Sequence, residues 1–409
     1  MVAPLREVDR PIAVLAAISF ISQVGVSVML PLLPLYAIEL GASPRELGLM
    51  VSIFAVTQTV GQLGSGVMIG WISPRRQLPL GQAAYAGANF LIATAREAVP
   101  LIAFRALAGF GGGLSIIAER LYVARVAVRE RLAFTNGVIS AAGSAGSVLG
   151  PAIGGFLAVQ DLRIPFIVVG VTATIAAVSA VAFLPPEPLK VDADEGVSVA
   201  SADGPRPLAA RLREQLALAR PLGAIGLWNF AFSAAYGGWI TTFGPYARDE
   251  LGLPVSQVAL IFACFGLGSI VLGPWLSRRA DRSGRRRMVA IGSALILLNL
   301  VAMIVKAPAA VVFATAVIGG GGLAAAQASW FALLTMATDG GRRGRSFGLV
   351  TALTNLGVIA GATLASEIWQ QIGIDEALLV AGGFVVLGIA SLVLIRIEPV
   401  TSPVAPERT

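Results

Sequence analysis

The chain has 409 residues, of which 56% are hydrophobic and only 13% charged, with 30 Lys and Arg against 23 Asp and Glu and no His; its mean hydropathy is +0.81. A soluble domain carries about 25% charged residues, so this composition excludes a soluble globular enzyme, and its low polarity excludes a disordered chain. One cysteine, Cys264, leaves no internal disulfide framework or Cys-based metal cluster, and the lack of His removes imidazole as base, metal ligand or pH sensor.

In chain order, Arg6 and Arg10 precede an apolar run that extends to Ile38. That is too long for the core of a signal peptide and reads as a first membrane span. Charge-free windows follow at 47–74, 77–95, 132–160, 164–186, 221–247, 251–277, 288–305, 307–338, 346–366 and 377–395, and one more, 98–118, is pierced by Arg105 alone. Each is long enough for a helix to cross a hydrocarbon core about 30 Å thick. Barrel strands would be about ten residues long and alternating, which these windows are not. The expected fold is an all-α integral membrane protein of twelve transmembrane helices in two six-helix halves.

With a cytoplasmic N-terminus, 23 Lys and Arg fall in inside segments and 5 in outside loops (Arg45, Arg96, Arg163, Arg248 and Lys306). Under the positive-inside rule both termini are expected in the cytoplasm, in a multi-pass protein of the cell membrane. The excess of Arg is spread over loops beside spans, which suits anionic lipid head groups and not nucleic acid. The expected organisation is an N-terminal bundle 1–186, a cytoplasmic linker 187–220, a C-terminal bundle 221–396 and a tail 397–409. Within the linker, Leu208, Leu212 and Leu216 recur at i+4, giving either a short amphipathic helix on the inner membrane surface or a solvated one. The halves repeat at a shift of 211: Phe54 maps to Phe265, Arg75 and Arg76 to Arg286 and Arg287, Gly109 to Gly320, Gly146 to Gly357 and Gly150 to Gly361. Duplicated bundles with a site between them are a recurring transporter design.

Three motifs stand out. Between the eighth and ninth spans, Asp281, Arg282, Gly284, Arg285 and Arg286 place an acid at a helix end, a Gly turn and a run of Arg, a charged latch at the inner face. In the fourth span Arg105 is followed by Gly109 and Gly111 to Gly113; the fifth carries Gly146, Gly150, Pro151 and Gly154. Small residues spaced in this way let helices approach closely, while Pro151 removes an N–H and bends the helix, so the segment reads as packing or as a hinge. Together the motifs resemble the major facilitator superfamily, and the fifth-span motif is similar to that of its twelve-helix drug:proton antiporters. Two departures accompany the resemblance: Gly70 and Pro74 stand where the equivalent loop after the second span would carry an Asp and a basic residue, and Ser19 to Leu35 holds no acid.

Arg105 and Glu119 are the charged residues of the fourth span. A charge at mid-bilayer costs about 2.5–3.5 kcal/mol on insertion scales and faces a partner or a wet cavity. The two lie about 21 Å apart along the axis, near one face. Arg105, permanently charged, can hold a carboxylate or an anionic substrate; Glu119 can exchange a proton, or else snorkel to the inner head groups with Arg120. Gln23, Gln58, Gln62, Asn229, Tyr236, Gln327, Trp330 and Asn355 are polar or aromatic residues at helical spacing that either line a substrate cavity or bond between helices. Tyr36 and Trp369 read as interfacial anchors.

There is no G-x-x-x-x-G-K-[ST] loop, no Ser–His or Cys–His arrangement, and no carboxylate pair at one depth, so neither an ATP-driven pump nor a membrane enzyme is expected. The resemblance implies a secondary active transporter with alternating access, a proton-coupled exporter of hydrophobic or amphiphilic compounds. It would need no cofactor or metal, take a small-molecule substrate and protons, sit in the lipid bilayer and act as a monomer. A sugar or metabolite facilitator of the same fold is the alternative, and a non-transporting polytopic protein a more distant one.

Overall fold

The computed structural model describes residues 10–126, 132–186, 208–337 and 343–394. They form fourteen α-helices and no strand. The helices are α1 (Arg10–Met29), α2 (Leu33–Glu39), α3 (Pro44–Met68), α4 (Pro74–Thr94), α5 (Ala98–Val126), α6 (Leu132–Ala158) and α7 (Ile164–Phe183), then α8 (Leu208–Asp249), α9 (Val255–Val271), α10 (Gly273–Ser283), α11 (Arg285–Ile304), α12 (Ala309–Met336), α13 (Arg343–Gln371) and α14 (Ile374–Ser391). Among the described residues nine helices are long and apolar enough to cross a membrane, or ten if α9 and the start of α10, bent by 48°, form one span. The two long helices outside that count, α4 and α8, are diluted by Gln77, Gln82, Asn89, Asn229, Ser233, Thr241 and Thr242, all of them buried. Their polar groups face protein and not lipid, so mean apolarity understates them.

Local chemistry sets the breaks. The expected first span divides after Met29, where Pro31 and Pro34 interrupt the backbone ladder and Pro34 starts α2. Tyr36 is not an interfacial anchor: it is buried, and its hydroxyl donates to the carbonyls of Ile92 (3.1 Å) and Ala95 (3.3 Å), holding α2 against the end of α4. Helix α3 opens on a capping box, with the Ser43 N–H donating to Glu46 Oε2 at 2.7 Å and Pro44 in the first turn. The segment expected as a separate short helix at 208–219 is the start of one 42-residue helix, α8. Its Ala, Leu, Arg, Glu and Gln are all strong helix formers. The rest of the expected linker, 187–207, and the tail 397–409 lie outside the described residues.

Helices α1 to α7 pack chiefly with one another, and α8 to α14 likewise, with matching partners: α1 on α6 as α8 on α13, α3 on α5 as α9 on α12, and α4 on α5 as α11 on α12. The match reaches single contacts. A Cβ on Gly109 would lie 2.4 Å from the Phe54 carbonyl oxygen, and one on Gly320 would lie 1.9 Å from that of Phe265. At each place glycine is what allows two backbones to touch.

The two groups meet mainly through α3 with α13 and α6 with α9. Arg45 reaches across to Glu367 (Nε to Oε2, 2.7 Å), Ser52 pairs with Thr363 (3.1 Å), and Asn355 donates to Thr59 (2.7 Å). Gly48 lies against Ala362 and Ser366, and Gly155 against Ser256 and Ala259. These contacts sit toward the end of the bundle marked by the left-handed turns at Gly41 (φ 84°) and Gly252 (φ 64°). Replacing Gly109 by Ala is expected to destabilise the protein by about 1–3 kcal/mol through overpacking. Gly87→Ala, where a Cβ meets nothing within 4 Å, is expected to leave stability unchanged or improve it, as thermal unfolding in detergent would measure.

Candidate functional site

A cavity of about 650 Å³ runs between the two groups, from Leu33 and Pro34 at the closed end to Glu119, Val123 and Asn136 at the other. Most of its wall comes from α1 and α3 to α7, while Tyr236 and Ile240 of α8 and Asn355 and Val358 of α13 close it from the other side. The wall mixes apolar side chains with amides, hydroxyls and a few charges, a lining suited to a small organic molecule.

Arg105 is the deepest charge, only 4% exposed. Its guanidinium lies over the Phe54 ring at 4.1 Å from the centroid, a cation–π contact that offsets part of its desolvation. Gly109, one turn further along α5, allows Phe54 to come so near. Arg105 Nε and Nη1 have no hydrogen-bond partner among the described residues. Glu119, about four turns further along the same helix, is half-buried and accepts a hydrogen bond from Ser19 Oγ of α1, with the exposed Arg120 next to it. Both charges named from the sequence therefore line one cavity, at different depths.

The polar residues divide. Gln23, Gln58, Tyr236 and Asn355 lie on the cavity wall, Gln23 also donating to Ser27 (3.5 Å). Asn229 does not: it donates to the Val350 carbonyl (3.2 Å) and to Thr354 (2.8 Å), tying α8 to α13. Trp330 also lies elsewhere, its indole N–H donating to the Ile225 carbonyl (3.1 Å) beside Trp228. Gln62 is half-buried and Gln327 exposed, and neither is on this wall. Sequence reasoning missed Ser22, Gln82, Tyr85 and Ser115, which are on it. The available signal was the i, i+3, i+7 line of Gln82, Tyr85 and Asn89 along α4.

The latch and hinge segments lie outside the cavity wall. Gly284 holds φ 90° between α10 and α11, and its N–H bonds the Ala280 carbonyl at 3.0 Å, so the turn needs glycine. Arg285 reaches the Met336 sulfur, Arg286 is exposed, and Arg279 stacks on Trp275 at 3.9 Å; the side chains of Asp281 and Arg282 are outside the described set. At the repeat-related position Arg75 donates to the Leu184 carbonyl (2.8 Å) at the end of α7, a cation on a helix C-terminus. In α6, Gly146, Gly150 and Gly154 press against the α1 backbone at Phe20, Val24 and Val28, and Pro151 sits inside the helix.

The Major Facilitator Superfamily profile matches residues 15–254 and 227–409, which together span nearly the whole described chain. The chain belongs to the Major Facilitator Superfamily. With its long apolar helices, it is a multi-pass membrane protein of that family. It is 27% identical over 176 residues to the quinolone resistance protein NorA of Staphylococcus aureus, covering 43% of this chain and 45% of that protein. Against multidrug resistance protein 2 of Bacillus subtilis it is 23% identical over 273 residues, 66% of this chain and 67% of that one. The matched region thus spans about half the length of NorA. Among solved structures, the nucleoside transporter NupG superposes with a TM-score of 0.76 at 13% identity, over 95% of this chain and all of that one. A bacterial homolog of the human lysosomal transporter Spinster, in an inward-facing and unoccupied conformation, gives 0.76 at 13% identity, over 94% of this chain and 95% of that one. At such identities these structures speak for the superfamily fold alone.

The division of polar residues has a measurable consequence. Asn229→Ala removes both amide bonds that tie α8 to Val350 and Thr354 of α13, while the Val350 carbonyl keeps the Thr354 hydroxyl (3.0 Å), and is expected to cost about 1–3 kcal/mol of stability. Gln58→Ala is expected to shift stability by less than about 0.5 kcal/mol while weakening the binding of an amphiphilic dye severalfold, read by thermal unfolding and by fluorescence titration.

Proposed function

We propose that this transporter exports hydrophobic or amphiphilic compounds in exchange for protons. The observation that carries this reading is Glu119, an ionisable carboxylate on the wall of the cavity that also contains Arg105. Proton exchange at a membrane carboxylate requires a route for water and a change of partners. Glu119 faces the cavity, and its bond to Ser19 joins α5 to α1, a contact that a proton on the carboxylate would weaken; both support this reading. The charged neighbour of Glu119 is Arg120, and the cavity brings no second wall carboxylate near it among the described residues.

The contacts between the two helix groups lie toward one end, and the basic loops assign that end to the outside. The cavity then opens to the cytoplasm, the state that loads an exported compound. Alternating access would proceed by parting α3 from α13 and α6 from α9 at the outer end. The turn at Gly284 and the basic run from Arg285 would latch one state, and α6 would flex near Gly150 and Pro151. The mixed wall of amides, hydroxyls and aromatic rings supports tolerance of varied amphiphilic bodies. The similarity to the quinolone resistance protein NorA and to multidrug resistance protein 2 supports the same direction.

One observation favours a facilitator instead: α1 holds no carboxylate, so coupling rests on Glu119 alone. Dye efflux from proteoliposomes with an imposed proton gradient separates the two. Gradient-driven efflux is expected in the wild type and its loss in Glu119→Gln, with gradient-free dye exchange retained. Efflux that ignores both gradient and substitution would overturn proton coupling and leave a facilitator.

A further inference from the structure

Arg105 is buried to within 4% of its surface, and two of its nitrogens, Nε and Nη1, donate to nothing among the described residues. A buried charge in a membrane protein that lacks a partner is a costly arrangement, and it persists where something else supplies the partner. The carboxylate on the same wall does not supply it, because Glu119 is about 21 Å away along α5 and bonded to Ser19. Next to Arg105 on the wall is Tyr85, whose buried hydroxyl sits near Asn89 without closing a hydrogen bond. Both side chains thus line one stretch of cavity, with these unspent donor atoms set just behind its surface. The Phe54 ring covers one face of the guanidinium, and Tyr236 adds a second aromatic wall from α8.

Donors in excess of acceptors recognise an anion, and flanking rings recognise a flat apolar body. Resting on the reading of this cavity as the transport site, we propose that Arg105 and Tyr85 receive an acidic group, a carboxylate or sulfonate, of a transported compound whose aromatic body lies against Phe54 and Tyr236. The planar guanidinium fork fits such a group in bidentate fashion, which an ammonium in its place would not. Because Nε and Nη1 are buried in the wall, receiving the acid would require the guanidinium to turn against Phe54 and bring them to the cavity surface. The preferred substrates are then organic acids and zwitterions of amphiphilic character, in preference to purely cationic compounds.

The test compares dansylglycine with dansylglycinamide, the same fluorophore with and without the acid, binding to the full chain in lipid nanodiscs. Empty nanodiscs correct for partition into lipid. The wild type is expected to bind the acid at least about tenfold more tightly than the amide, the size of a hydrogen bond to a charged group. Arg105→Gln is expected to bring the ratio of acid to amide affinity to about one, and Arg105→Lys to keep part of the preference. Tyr85→Phe, which removes only a hydroxyl, is expected to lower the ratio of acid to amide affinity severalfold. Equal affinity for acid and amide in the wild type overturns the proposal without recourse to any variant, as does a preference that survives Arg105→Gln. The two readings fail separately. Gradient-driven efflux of a neutral dye with no acid preference removes the anion site alone, and acid preference without gradient-driven efflux removes proton coupling alone.

Discussion

A guanidinium inside a membrane bundle has to be held, and in this protein the holding organises what surrounds it. Arg105 rests on Phe54. Phe54 can lie there because residue 109 is glycine, and any side chain at that position would collide with the Phe54 backbone. Gly111 and Gly113 do the same for Gly81 and Gln58, so α3 and α4 both close on α5 around the charge. The run of glycines after Arg105 is thus the means by which three helices surround a charged side chain closely while leaving one side of it open to a cavity. That opening matters energetically, since a charge sealed in hydrocarbon would cost several kcal/mol with nothing in return (about 2.5–3.5 on insertion scales).

The repeated architecture makes the asymmetry of the site informative. The same glycine-to-phenylalanine contact recurs between Gly320 and Phe265. At the positions related to Arg105 and Glu119 by the same shift, however, stand Ala316, fully buried, and Trp330, bonded to Ile225. One copy of the duplicated bundle kept the packing and carries no charge on this helix. The other uses it to present a cation and a carboxylate to the cavity. The C-terminal helices contribute Tyr236, Ile240, Asn355 and Val358, a neutral wall. The charged groups of the cavity wall, Arg105, Glu119 and Arg120, thus all lie on α5, and the opposite wall is neutral.

Much of this was legible in the sequence because membrane burial is so strict. Charge-free windows marked the helices, a single Arg within one of them marked the site, and glycine spacing marked the close contacts. What was not legible was which polar residue faces where. Asn229 and Asn355 are chemically identical and both sit in apolar helices, yet one ties α8 to α13 and the other lines the cavity while bonding Thr59. An amide that bridges helices and an amide that faces water obey the same helical spacing, so composition cannot separate them. Tyr36 departs from its sequence-based expectation for a related reason: it lies near a span end, yet the short α2 turns it inward onto α4.

The central claim is that this cavity is the path along which the substrate moves. It is tested most directly by placing one cysteine on the wall, Gln58→Cys in a Cys264→Ser background, and labelling it to completion with a bulky water-soluble maleimide. The account predicts that the labelled protein loses dye transport and that bound dye slows the labelling. Full labelling with undiminished transport would contradict it.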